Sequence, residues 1–281
     1  MILINVLVIV MLATSVLAIM LTGADSQVER ATALRSAAQA MAIARGGELS
    51  AVSALRRDLA AGNSTDTLAE PWANIADSDV QIEGGRFSFV VADAQALFNI
   101  NTVARGDVTS RAILAQLAQA AELPEGIPER IASLIALTGP LSDFDALRIL
   151  GLDSVQLSRL AQFCTVLPTP TDVNLNTAPE ALIAALLGNP ATARTLVSLR
   201  SRSVGIDSGS VAGAGILLPP GTSLSSDYYW ARAKVRVGGT SQQLTSLLHR
   251  RSGEAGPAVV AIRRWRGVPP IEAPPLISPG E

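Results

Sequence analysis

The first sixty residues carry one helical pattern through two solvents. From Met1 to Leu21 only Asn5, Thr14 and Ser15 interrupt an apolar run. At about 1.5 Å per residue, a helix of about 21 residues matches the roughly 30 Å hydrocarbon core of a bilayer. A cleaved secretory signal would show a basic start, an apolar core of about 7–15 residues and a small-residue cleavage site; no Lys or Arg precedes this run. A retained transmembrane helix is therefore expected over 1–22. Beyond it Val28, Ala31, Leu34, Ala38, Met41, Ala42, Leu49, Val52, Leu55 and Leu59 recur at three- and four-residue spacing, with charged residues in other directions. This predicts an amphipathic continuation over 23–60 that lies on a globular domain. Gly46-Gly47 weakens it locally, and Gly62-Asn63-Ser64-Thr65-Asp66 ends it.

The period then changes to two. Val80-x-Ile82, the turn Glu83–Arg86 and Phe87-x-Phe89-x-Val91 read as a hairpin within a first β portion over 72–98, with Trp72 as core where hairpin meets helix. Across 99–202 short helices alternate with Pro and Gly breakers, an all-α insert. After a Gly/Ser/Pro-rich loop, alternation returns at Tyr229–Val237, Gln243–His249 and Val259–Ile262, the second β portion of 203–266. The proline-rich tail 267–281 is expected to be disordered. The fold class is α+β: a long N-terminal helix packed on a small antiparallel sheet, with a large all-α insert between strands.

Within the insert, Asn99-Ile100-Asn101-Thr102 and Asn174-Leu175-Asn176-Thr177 repeat the pattern Asn-x-Asn-Thr ahead of a helix. Asn and Thr side chains satisfy orphan backbone N–H groups, so Asn99, Asn101, Thr102, Asn174, Asn176 and Thr177 are expected to cap helix starts.

Composition narrows the chemistry. The 281 residues are 48% hydrophobic, enough for a sizeable core, and a net charge of −2 gives no global pull toward nucleic acid. Arg232, Lys234 and Arg236 share one strand face with Trp230 and Trp265 nearby; a solvated outer sheet face is the preferred reading over a nucleic-acid patch. With Cys164 and His249 the sole residues of their kinds, neither an internal disulfide nor a thiolate–imidazole zinc site is available. His249 reads as a surface residue at a strand end. No G-x-S-x-G or phosphate-cradling loop is present, and Gly213-Ala214-Gly215 lacks a strand-to-helix context. No enzyme is expected.

In order along the chain, these features resemble the type II secretion minor pseudopilins of the K subfamily, which are pilin-like proteins. Met1-Ile2-Leu3-Ile4-Asn5-Val6-Leu7-Val8 is similar to a mature pilin-like start, and further matches are Gly85-Arg86-Phe87, Phe98–Asn101, Val173–Ala178 and Ser226-Asp227-Tyr228-Tyr229. The resemblance implies cleavage before Met1 by prepilin peptidase and N-methylation of Met1. It implies an inner-membrane anchor with a periplasmic domain, and the I- and J-type minor pseudopilins and the major pseudopilin as partners. Pilin-like proteins usually carry Glu at the fifth position; Asn5 follows the K subfamily, placed at the pseudopilus tip. Asn5, Thr14 and Ser15 are the polar positions expected to face a partner helix. An acidic Asp-Trp-Ile-Asp segment usual in the family is absent, so the insert is trimmed. No cofactor is required; the resemblance brings in calcium, toward which Asp207 and Asp227 could contribute without defining a site.

Val173–Ala178 followed by Leu182, Leu186, Gly188, Ala193, Leu196 and Arg200 also looks like a helix-hairpin-helix, as in a membrane-anchored DNA-binding protein of the competence type. Gly188-Asn189-Pro190 argues against it, since Pro has no N–H to give a phosphate. The preferred alternative is a hairpin that stabilises the fold, with no nucleic-acid partner.

Overall fold

Small residues at every turn decide how the long helix packs. In the computed structural model, residues 2–202, 205–251 and 258–276 are described, without the side chains of 18–19 and 21–26. Helix α1 runs unbroken from Ile2 to Ala61, about 90 Å at the usual rise, and ends where Gly62 takes a left-handed φ of 73°. Its buried positions are Ala40, Ala44, Gly47, Glu48, Ala51, Val52, Ala54, Leu55 and Asp58. The stripe expected from residue size was different: Leu34 and Leu49 are 72% and 62% exposed, and Val28, Ala38 and Ala42 also face outward. Close approach explains the difference. A Cβ on Gly47 would stand 3.2 Å from the rings of both Phe87 and Phe89, so at this turn the sheet admits the helix only on a residue without a side chain, while Val52 and Leu55 pack farther along the same face. Among the described residues no helix is long and apolar enough to cross a membrane. Part of the span expected over 1–22 falls on side chains outside the described set.

The chain next forms β1 (Ala76–Ile82) and β2 (Gly85–Asp93), paired across the two-residue turn Glu83-Gly84. The insert follows: β3 (Phe98–Asn99), α2 (Val108–Ala120), α3 (Ile127–Thr138), α4 (Ser154–Leu160) and β4 (Cys164–Thr165), then β5 (Val173–Asn174), α5 (Glu180–Leu187), α6 (Pro190–Arg202), α7 (Ser208–Gly213) and β6 (Thr222–Ser223). Short 3-10 turns at Ile100–Arg105 and Phe144–Leu150 complete it. The sheet resumes with β7 (Tyr228–Val237), β8 (Thr240–Arg251) and β9 (Ala258–Arg266), giving the antiparallel order β1-β2-β7-β8-β9.

Two cores result. Tyr229, Ala231, Ala233 and Val235 on β7, with Phe89, Val91, Leu244 and Leu248, close on Leu55 and Trp72, whose ring meets Tyr229 edge-on at 5.0 Å. The insert has its own core, including Phe98, Ile131, Phe144, Leu157, Leu182 and Leu196. Each such buried side chain contributes about 1.5–3 kcal/mol.

Three expectations are corrected. The insert extends past 202, because Asp207 caps α7 and buries Val211 in what reads as loop. It is also not wholly helical: β3 pairs parallel with β4, and β5 with β6. The tail is ordered as far as it is described. Glu272 is 5% exposed, Ala273 packs near Trp230, and Arg232 Nη1 donates to the Pro274 carbonyl at 2.8 Å. Residues 277–281 lie outside the described set.

Candidate functional site

The two Asn-x-Asn-Thr segments follow the short strands β3 and β5 and adopt the same local geometry. The first Asn of each turns on itself: Asn99 Oδ1 accepts from Asn101 N at 3.1 Å, and Asn174 Oδ1 from Asn176 N at 3.0 Å. The second Asn of each pairs its carboxamide with one backbone residue, Asn101 with both N–H and C=O of Leu141, Asn176 with those of Ile206. All four Asn side chains are buried, where an unmatched amide would cost about 1–3 kcal/mol. Asn99 caps only the 3-10 turn that follows it. The α-helices are capped elsewhere: α2 by Asp107, while α5 starts at Pro179 with no side-chain cap. Asn101, Thr102, Asn176 and Thr177 thus serve long-range bridges in place of the helix caps expected of them.

The partners of the two segments differ. Asn99 Nδ2 and Thr102 Oγ1 donate to the Thr169 and Thr171 carbonyls, closing the insert on itself. Asn174 Nδ2 instead contacts the Asp66 carbonyl, Asp93 Oδ2 and Ser226 Oγ, each at 3.0 Å. Thr177 Oγ1 and Ser226 Oγ donate to the same Asp93 oxygen at 2.5 and 2.6 Å, while Gln95 N donates to Oδ1. Asp93 ends β2, so the second segment fastens the insert to the sheet. Burial raises the Asp93 carboxyl to about 6 against these four donors.

A second buried group adjoins this joint. Arg250 on β8 donates to Asp58 of α1 at 2.6 Å, to Asp66, and to the Ser226 carbonyl at 2.6 Å, with its guanidinium 5.2 Å from the centre of the Tyr229 ring. Burial would weaken the Arg250 cation, but the Asp66 hydrogen bond and the surrounding acids raise its pKa overall. Glu70, whose Oε2 accepts from Trp72 Nε1, is pushed up by burial to about 7. Farther along α1, Glu48 takes a bidentate contact from Arg264 and a hydroxyl from Ser246; burial opposes its charge, yet these donors hold its pKa below the ordinary value. The sequence reading missed both ion pairs. A signal was present: Glu48 and Asp58 occupy the same helical face as Ala44, Ala51 and Leu55.

Asp58, Asp66 and Glu70 bring carboxylate oxygens within 4.8 Å of one another, a spacing that could suit a cation. The Arg250 guanidinium already neutralises two of the three, and the Trp72 N–H engages the third. A calcium ion would have to displace a buried arginine, so the donor set fits an ion-pair cluster and not a metal centre. Asp207, which caps α7, and Asp227 join no such group among the described residues.

At the other end of α1, Asn5 is exposed among apolar neighbours. The Thr14 hydroxyl donates to the Val10 and Met11 carbonyls at 3.0 Å, and Ser15 to Met11 at 2.8 Å, so both are satisfied within the helix. Met1 lies outside the described residues. In the hairpin α5–α6, the Asn189 side chain accepts from Ala191 N and Thr192 N, which occupies amides a phosphate would need. His249 is half-buried and stacks on Tyr228 at 4.5 Å, and burial lowers its pKa.

A helix that extends far beyond the sheet it packs on, with an α-rich insert between two neighbouring strands, is the α+β class with the pilin-like plan expected from the sequence. Within that class, the chain is 28% identical over 240 residues to the type II secretion system protein K of Pseudomonas aeruginosa, a match covering 70% of this chain and 72% of that protein. Its fold superposes with a TM-score of 0.67 on a chain of the GspK-GspI-GspJ complex from the enterotoxigenic Escherichia coli type 2 secretion system, at 20% identity, over 85% of this chain and 100% of that one. No protein-family model matches. The resemblance to the K-type minor pseudopilins therefore holds in both sequence and fold, and the homology supports a minor pseudopilin of type II secretion.

Proposed function

We propose that this chain is a structural, non-catalytic subunit at the tip of the type II secretion pseudopilus, where it initiates or caps assembly for export of folded proteins. The observation that carries the reading is the first half of α1. Ile2, Leu3, Leu7 and Met11 are 83%, 83%, 69% and 70% exposed, so this surface buries nothing within its own fold. In this reading residues 1–22 span the inner membrane and the rest stands in the periplasm. The side of the helix bearing Asn5, Thr14 and Ser15 meets the helices of I- and J-type minor pseudopilins, and the major pseudopilin continues the fibre below. Asn5 suits a topmost subunit, which has no neighbour above to use a glutamate. Prepilin peptidase would release Met1 for N-methylation. Calcium, if bound, uses ligands other than the Asp58 cluster.

The test is co-purification of the full chain in mild detergent with the I- and J-type subunits of the same organism, beside a DNA titration. A stable complex with no salt-dependent DNA affinity is expected. DNA binding without such partners would move the function to the hairpin α5–α6.

A further inference from the structure

The outer face of the sheet carries a charge pattern that the helix side lacks. There β7 presents Arg232, Lys234 and Arg236 at alternate positions, spaced about 6.6–6.8 Å along the strand. Arg86 on β2 stands directly opposite Arg236, and like charges so placed oppose folding. Arg86 pairs with Asp79. Lys234 and Arg236 are exposed and have no acidic partner among the described residues. Arg232 reaches the Pro274 carbonyl, yet its Nε is buried without a partner among the described residues. These side chains line an open groove of about 1020 Å³ together with Ser88, Gln243, Pro275 and Leu276. Asp79, the one acid of the lining, is held by Arg86, and Gln243 Oε1 accepts from Arg232 Nη2 at 3.4 Å.

Arg250 and Arg264, which the sequence groups with this region, point to the helix side and are taken by Asp58, Asp66 and Glu48. On the outer face Arg86 is taken by Asp79, which leaves Arg232, Lys234 and Arg236 without an acidic partner among the described residues, fixed in register by the strand that carries them.

We propose that this groove binds an extended acidic peptide segment of a partner protein, laid along β7 with carboxylates at alternate residues. An extended peptide repeats its same-face side chains at the same 6.6–6.8 Å or so as β7 itself. Acids at positions i, i+2 and i+4 therefore meet Arg232, Lys234 and Arg236 together, and their charge offsets the Arg86–Arg236 repulsion. Single-stranded nucleic acid is also a regular polyanion, but it depends on aromatic stacking platforms, and no aromatic residue lines this groove. The proposal does not depend on the secretion reading.

The test uses the full chain in non-ionic detergent and a fluorescein-labelled peptide with Glu and Ser alternating, read by anisotropy. Saturable, salt-sensitive binding is expected. It should weaken on the order of tenfold or more in the double variant Lys234→Glu, Arg236→Glu, and stay unchanged in Arg194→Glu, an exposed site on α6. The milder pair Lys234→Gln, Arg236→Gln should also weaken it, with the thermal midpoint not lowered, since the Arg86–Arg236 repulsion is relieved. A peptide of the same composition with its acids contiguous should bind less well. Absence of saturable binding, equal affinity in the double variants, or tighter binding of an oligothymidylate of matched length would each overturn the proposal.

Discussion

The two Asn-x-Asn-Thr segments share a backbone course and differ in what they join. Around Asn99 and Asn101 nearly every partner is a backbone group of the same insert, at Leu141, Leu167 and Thr169. Around Asn174 and Thr177 the partners include Asp93 of the sheet and Asp66 of the loop after α1. One tetrapeptide thus makes a module, and its copy makes a joint. The distinction arises from neighbouring charge: the second segment sits beside Asp58, Asp66, Glu70 and Asp93, with Arg250 as the principal cation.

Breaking the ionic group should have the largest effect. Arg250→Met leaves Asp58 and Asp66 buried without their cation, and the expected loss is about 3–5 kcal/mol in chemical denaturation. Next come the matched replacements Asn99→Ala and Asn174→Ala, each expected to cost about 2–3 kcal/mol by stranding buried partners. The comparison sharpens in the double variants with Arg250→Met. Asn174→Ala should depart from additivity by about 0.5–3 kcal/mol, whereas Asn99→Ala should add. Additivity in both would mean that the second segment is not part of the joint.

Acidity separates the regions further. Glu70 and Asp93 keep their protons to about pH 7 and about pH 6 in the fold, against ordinary values of 4.5 and 3.8. The folded state therefore binds more protons than the unfolded state between those limits, and stability falls as pH rises through them, by roughly 1–3 kcal/mol. Glu48 works in the opposite sense: its lowered pKa contributes stability above its ordinary value, lost as pH falls through the folded value. Melting at pH 5 and pH 8 should show the joint weaker at the higher pH. Proteolysis between insert and sheet should increase in step, with the insert core unaffected. The smallest effect is Gly47→Ala. A gain in helix propensity of about 1 kcal/mol is opposed by crowding at 3.2 Å against Phe87 and Phe89, so the melting temperature should change little or fall; a clear rise would show that the helix–sheet spacing is not set there.

Much of this architecture was legible because period and punctuation are local. The hairpin at Ile82–Gly85, the alternation of β7, the helices of the insert and the place of Trp72 all follow from spacing and breakers. What stayed hidden depends on distant partners. Gly47 faces the sheet where the Phe87 and Phe89 rings crowd it, and Ala40 and Ala44 join the same core, facts that lie outside the helix. Ser208–Gly213 forms a helix despite its glycines because Asp207 caps it and Val211 finds a core. Arg250 and Arg232 look alike in sequence, yet a strand alternates its sides, so one meets acids and the other an open groove.

The insert leaves the sheet after Asp93 and returns at Tyr228, and Asp93 faces Tyr229 on the adjoining strand. Its two ends are therefore neighbours on one rung. A segment attached in this way is an interchangeable cassette: it can lengthen, shorten or be traded without altering the register of β2 against β7. Replacing residues 95–226 by a short turn would join β2 to β7 as an ordinary hairpin and leave the five-stranded sheet on its long helix.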